Sequence, residues 1–169
     1  MSGTAFPSKV TQVDLGTTAS PQRFPAGYEV TLPATKGGAG GVTNNAGPQT
    51  WIYVYNDSGS EIAANIAVMR KDDTSTYNVL IAAVSISPQR IVGISQHAIA
   101  NGSYGFVLKR GLGTVTADAT VTADLGMIMD GSTAGNVTHA AAVTNAGIGC
   151  TVAGRTGSGT FSAFIDCRG

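Results

Sequence analysis

Residues 114–123 read Thr-Val-Thr-Ala-Asp-Ala-Thr-Val-Thr-Ala, so Val115, Ala117, Ala119, Val121 and Ala123 share one side while Thr and Asp take the other. Side chains alternate in this way along a strand, whereas a helix repeats every about 3.6 residues. The pentad Thr114–Asp118 recurs at Thr120–Asp124, and strand alternation accounts for it. No period of 20 to 50 residues marks a solenoid or a propeller.

From Trp51 onward, short runs of the same kind are separated by turn residues. They predict strands at 50–56, 63–70, 78–86, 90–98, 104–110, 113–123, 125–129, 135–143, 148–153 and 159–167. Many short strands with regular punctuation imply an all-β fold, a compact β-barrel or β-sandwich. Asn56–Ser60, Asn101-Gly102 and Asp130-Gly131 supply the punctuation, with residue types that tolerate positive φ. Ser60–Met69 also fits a short helix, with Ile62, Ile66 and Met69 on one face, but a strand is preferred because Ile66–Met69 follows a turn signal.

Five of the six prolines fall in the first 48 residues, with the run Gly37–Gly41 and Asn44-Asn45. This composition divides the chain into an extended N-terminal arm, residues 1–47, and a β-barrel or sandwich domain, residues 48–169. Fully extended, the arm reaches on the order of 150 Å at about 3.3 Å per residue. Within it, Tyr28-Glu29-Val30-Thr31-Leu32 alternates until Pro33, as an edge strand or a strand added to a partner would. On this division, loss of residues 1–27 spares the fold.

The residues that carry chemistry are sparse. Ten basic and ten acidic side chains cancel, and charged residues make up 12% of the chain against about 25% in an average domain, so no basic field gathers nucleic acid. Residues 1–10 lack the apolar core of a signal peptide, and no apolar run is long enough to span a bilayer. His97 and His139 lie in no nucleophile or metal motif, and neither pairs at close spacing with Asp130 or a cysteine. Asp72-Asp73 is the sole adjacent acidic pair and reads as a solvated loop end, with no calcium loop. Gly37–Gly41 lacks the Lys-Ser/Thr of a phosphate loop. Cys150 and Cys167 are either free thiols or one bridge between neighbouring strands. Asn56, Asn101 and Asn136 begin Asn-x-Ser/Thr triplets in turn-rich contexts, as chance provides in a Thr/Ser-rich chain. The expectation is a protein that is not an enzyme, with no catalytic residues, cofactor or metal.

What remains is apolar and aromatic. In Trp51-Ile52-Tyr53-Val54-Tyr55 the aromatics take one face and the aliphatics the other, so both faces demand burial. Tyr104, Phe106 and Leu108 project together from a second strand. Tyr28, Val30, Leu32, Trp51, Tyr53, Tyr55, Tyr104 and Phe106 are therefore the candidate interface residues, since Tyr and Trp concentrate where subunits meet. A core or subunit contact is preferred to the alternative, a sugar-stacking platform on Tyr53, Tyr55 or Tyr104.

Arg90–Gly111 contains Val92-Gly93-Ile94-Ser95-Gln96, then Ile99-Ala100-Asn101-Gly102-Ser103-Tyr104-Gly105-Phe106-Val107. This order resembles the VGVAQ-like strand and IAxGxYGxV hairpin of tailed-phage capsid decoration, or cement, proteins. Upstream, Asn56-Asp57-Ser58-Gly59-Ser60-Glu61-Ile62-Ala63-Ala64-Asn65 is similar to their NxSGxxIAAG hairpin, with Asn65 in place of the final Gly. At Leu125-Gly126 a Gly-Asp turn would be usual. The resemblance covers about residues 50–145. It implies a virion structural protein, made in the host cytoplasm, that binds the major capsid protein on the outer capsid surface and bridges neighbouring subunits. A homotrimer at threefold positions is the arrangement implied, without contact to nucleic acid or membrane. A carbohydrate-binding virion module and a head-fibre or tail component are the alternatives.

Overall fold

The aromatic run at 49–56 is where the fold closes on itself. In the computed structural model, which describes residues 10, 12–32, 47–72, 74, 77–140 and 147–169, this run is strand β2 (Gln49–Asn56). Along one edge β2 pairs with β1 (Glu29–Leu32) and, farther on, in parallel with β4 (Asn78–Ile81). Along the other it pairs with β6 (Tyr104–Ala117). The order β2-β4-β3-β5-β6, with β3 (Ala67–Arg70) and β5 (Ile91–Ser95), therefore returns to β2 as a closed ring. Closure leaves the ring strands with no edge for aggregation.

The alternation of β2 explains the ring's contents. Ile52 and Val54 point inward, where they meet Val68, Val79, Val92 and Val107 from the other four strands and Ile62 and Ile99 from loops. Trp51 and Tyr53 point outward into a second, larger core cluster that includes Phe106, Leu108, Met127 and Ile165. Both faces of β2 are buried, as its sequence requires.

Strand β6 extends past the ring to pair with β10 (Gly159–Asp166), which pairs with β9 (Gly149–Thr151). The remaining strands, β7 (Met127–Met129) and β8 (Val137–His139), form a hairpin joined to β9 through the Gly126–Cys150 bridge. Each predicted strand segment contains an observed strand, but 104–110 and 113–123 are two parts of β6. Near the end of the first part, Thr50 faces Arg110 and Trp51 faces Leu108, so Lys109 is the extra residue of a bulge. The bulge moves the core face from even positions, Phe106 and Leu108, to odd ones, Val115 and Ala117. The predicted period-two run ends at Ala117: Ala119 is exposed, and Val121 returns to the core through an isolated bridge to Arg155. The expected strand 63–70 begins only at Ala67, because Asn65 takes a left-handed turn at φ 66°. Asn tolerates that conformation, which accounts for its standing where the resembling hairpins have Gly.

The three resembling segments form one structural unit. Asn56 is fully buried; its Nδ2 donates to the carbonyls of Ser60 and Ile99, both at 2.8 Å, and its Oδ1 accepts from Ser58 N–H and Oγ. Ile62 and Ile99 exchange backbone hydrogen bonds, and Gly102 N–H donates to the Asn56 carbonyl. A Cβ on Gly105 would stand 2.9 Å from Ile99, and one on Gly93 2.9 Å from the Leu108 carbonyl, so both positions admit only hydrogen. Gln96 closes the unit by donating to the Thr114 carbonyl and accepting from the Thr114 N–H, as a backbone would. Asn56→Ala is expected to lower unfolding stability by about 2–4 kcal/mol, since it orphans buried partners in two loops; chemical denaturation reads the change directly.

The division at residue 47 does not match the packing. A one-turn helix, α1 (Gln12–Leu15), and the segment behind it lie on the domain, with Leu15 and Phe24 in the larger core cluster. Ala19 exchanges backbone hydrogen bonds with Tyr104, and β1 joins the sheet as its edge strand. The physical reason is that the outer face of β2 and β6 is apolar, and residues 12–32 supply part of its cover. Residues 1–9 and 33–46, including Gly37–Gly41, lie outside the described residues.

Candidate functional site: a tyrosine face

The chain has five tyrosines, and four of them, Tyr28, Tyr53, Tyr55 and Tyr104, are joined by ring contacts through Phe24. Phe24, inserted from the N-terminal segment, stacks on Tyr28 (5.6 Å between centroids, 13° between planes) and meets Tyr53 edge-on at 5.2 Å. Tyr53 stacks on Tyr104 (5.6 Å, 11°), and Tyr104 contacts Tyr55 at 4.9 Å. Phe106 lies behind, 4.8 Å from Tyr53. Tyr77 joins across Gly27, where a Cβ would stand 2.1 Å from its ring, and the Arg70 guanidinium lies 5.2 Å from the centre of that ring. Gly27 also has φ 85°, so glycine is needed there for both backbone and space.

Backbone pairing holds these rings in place. Gly27 N–H donates to the Tyr53 carbonyl at 2.7 Å and Tyr53 N–H to the Tyr28 carbonyl at 2.9 Å, which prolongs the β1–β2 ladder to the face. Tyr55 N–H donates to the Tyr77 carbonyl at 3.1 Å. Tyr53 is buried; its hydroxyl accepts from Arg23 N–H at 3.3 Å, and burial raises its pKa. Tyr28 is 38% exposed, while Tyr55, Tyr77 and Tyr104 are half-buried. Among the described residues, no hydrogen bond within the chain engages the hydroxyls of these four.

Ion pairs border the face. Arg23 bonds Asp14 at 2.5 Å, and Lys109 bonds Glu29 at 2.6 Å. Lys71 bonds Asp57 at 2.7 Å, and Asn78 donates to the same carboxylate. The hydrogen bond from Lys71 holds the Asp57 carboxyl below its usual pKa, and the same bond raises that of Lys71.

The nominated interface residues separate into two layers. Trp51, Tyr53 and Phe106 are core residues that support the face and do not present it, because both faces of β2 and the matching face of β6 are covered. Tyr28, Tyr55 and Tyr104 reach the surface, and Val30 and Leu32 pack half-buried against the core beside them. Phe24 and Tyr77 belong to the same assembly but carry no periodic signal, since each sits in irregular chain between turn residues.

Elsewhere, no group of three or more potential metal ligands occurs among the described residues. Cys150 is exposed and free, and Cys167 is free and buried, where desolvation pushes the thiol pKa up. Asn56 and Asn136 are buried, which removes both as glycan acceptors. Asp73 lies outside the described residues; Asp72 accepts from Thr74 N–H and Oγ1 in a local turn. No helix among the described residues is long and apolar enough to cross a membrane. An open groove of about 280 Å³ beside Ser85–Pro88, Ile128 and Met129 contains no convergent charged groups.

His97 is expected to make the stability of the domain depend on pH. Both ring nitrogens are buried without a hydrogen-bond partner, and desolvation lowers its pKa below the usual 6.5. The unfolded chain therefore takes up a proton at pH values where the folded chain refuses it, so stability falls as pH drops below 6.5. The melting temperature of the wild type is expected to decline between about pH 7 and 5, more steeply than that of His97→Gln. Equal slopes would remove His97 as the cause.

No protein-family model matches the chain, and no curated protein matches it. A solved structure described as the head fiber gp8.5 N base in bacteriophage phi29 aligns with 69% of this chain and 94% of its own, at 11% identity and a TM-score of 0.47. Identity this low and a superposition this partial say nothing of what the present chain binds.

Proposed function

We propose that this chain is a non-catalytic structural protein of a virion, bound to the outer surface of the assembled capsid and bridging neighbouring capsid subunits. One observation carries the reading: the three segments that resemble capsid decoration proteins meet in one unit around Asn56, where their shared Asn, Ser, Ile and Gly positions all serve the scaffold. Bridging requires no bond to be made or broken. Each copy buries apolar area at about 25 cal/mol per Å², and repeated attachment multiplies modest contacts into avidity. A trimeric arrangement, with the major capsid protein as partner, completes the proposal.

The test is to add the purified protein to assembled capsids that lack it and to image the particles. Extra density at symmetric outer positions, with a higher capsid melting temperature, is the expected result. Bare capsids at saturating protein would end this reading.

A further inference from the structure

The tyrosine face has properties of its own that do not depend on the capsid reading. Its exposed aromatic area is small. Tyr28 shows 38% of its surface and Tyr55, Tyr77 and Tyr104 less, so together they offer at most about 300 Å² at about 200 Å² per side chain. A stable protein partner needs about 800 Å² on each side. The rings are nevertheless held firmly. Tyr28, the most exposed of them, is backed on one side by Phe24 at 13°, and Tyr104 is backed by Tyr53 at 11° and flanked by Tyr55 at 4.9 Å. Four phenolic hydroxyls stand unused among the described residues, each able to donate and accept. Arg23, Lys71 and Lys109 are each paired with a carboxylate and Arg70 lies against the Tyr77 ring, so the border holds no cluster of unpaired like charge to attract an anion.

From these features we infer that the tyrosine face is a carbohydrate-binding site for a neutral pyranose whose substituents are all equatorial, of the β-glucoside or N-acetylglucosamine type. Such a ring has a flat face of axial C–H groups that lies on Tyr28, and equatorial hydroxyls that reach outward to the phenols, that of Tyr104 among them, and to Arg23. Phe24 positions Tyr28 without touching the sugar. The footprint fits one or two sugar units, so single-site affinity is weak, and a multivalent array of the protein on a larger particle strengthens it by avidity.

The experiment is saturation-transfer NMR on the full chain with methyl β-glucoside and with the methyl β-glycoside of N-acetylglucosamine, supported by intermolecular contacts from tyrosine ring protons. Transfer concentrated on the axial protons of one sugar face is expected, and Tyr28→Ala and Tyr104→Ala should each weaken binding at least tenfold, with Tyr28→Phe retaining most of it. The mapping of tyrosine contacts on wild-type protein stands even if an alanine variant fails to fold. Absence of transfer from both sugars to well-folded protein overturns the proposal. So does transfer that both alanine variants leave unchanged, or a concentration-dependent self-association that Tyr28→Ala abolishes, which would make the face a contact between copies. None of these outcomes bears on capsid occupancy, so this inference and the proposed virion role fail separately.

Discussion

Removal of residues 1–27 is expected to unfold the domain. The segment contributes Leu15, with no exposed surface, and Phe24, 3% exposed, to the larger core cluster. Deleting one buried leucine costs about 2–5 kcal/mol and one buried phenylalanine about 3–5 kcal/mol, so the combined loss rivals the whole stability of an ordinary domain, about 5–15 kcal/mol. The backbone partners of Tyr104 and Tyr53 are left exposed as well, since Ala19 and Gly27 supply them. Circular dichroism and a thermal melt of residues 28–169 measure this outcome. A cooperative transition near that of the full chain would show that the segment is an accessory after all, as its proline content alone suggests.

Trp51→Ala carries the next largest effect. Trp51 has no exposed surface and sits on β2 between Val30 of β1 and Leu108 of β6, at the residue where the pairing with β6 shifts register. Truncation empties a site that rigid neighbours on both sides keep from collapsing, and a loss of about 3–5 kcal/mol follows. Denaturant titration should show the midpoint fall with an unchanged slope if the ring survives. A fall in slope would mean that the ring opens at β2. A midpoint within experimental error of the wild type would contradict the packing described.

The two predictions differ in how far the sequence foretold them. Burial of both faces of β2 is written into Trp51–Tyr55, because consecutive aromatic and aliphatic residues leave neither side suited to water. Nothing local marks Leu15 and Phe24 as core residues. Each lies among prolines, glycines and polar residues, and the surface that buries them is built by β2 and β6, segments tens of residues away in the chain.

The same distinction applies to the run that most constrained the fold. The alternation at Thr114–Ala123 identified a strand over Thr114–Ala117, where the two faces are set by backbone geometry within a few residues, but not over the six residues that follow. Its continuity with Tyr104–Arg110 was hidden, since the bulge at Lys109 reverses the phase of the pattern and a reversed phase reads as a break. The turns at Asn56–Ser60 and Asn101-Gly102 were legible for an equally local reason, the positive φ at Gly59 and Gly102. Of the candidate site, the sequence nominated Tyr28, Tyr55 and Tyr104 but placed buried Trp51, Tyr53 and Phe106 beside them, and it gave no sign of Phe24 or Tyr77.

The sequence by itself thus determined the β class, the turn positions and the absence of any recognisable catalytic motif, since alternation and turn chemistry act over a few residues. The tertiary structure alone decided that five strands close into a ring, that residues 12–32 belong to the domain, and that Tyr28, Tyr53, Tyr55 and Tyr104 are brought into ring contact with Phe24. Those outcomes depend on register between segments far apart in the chain, and a register leaves no mark on either segment until the two are paired.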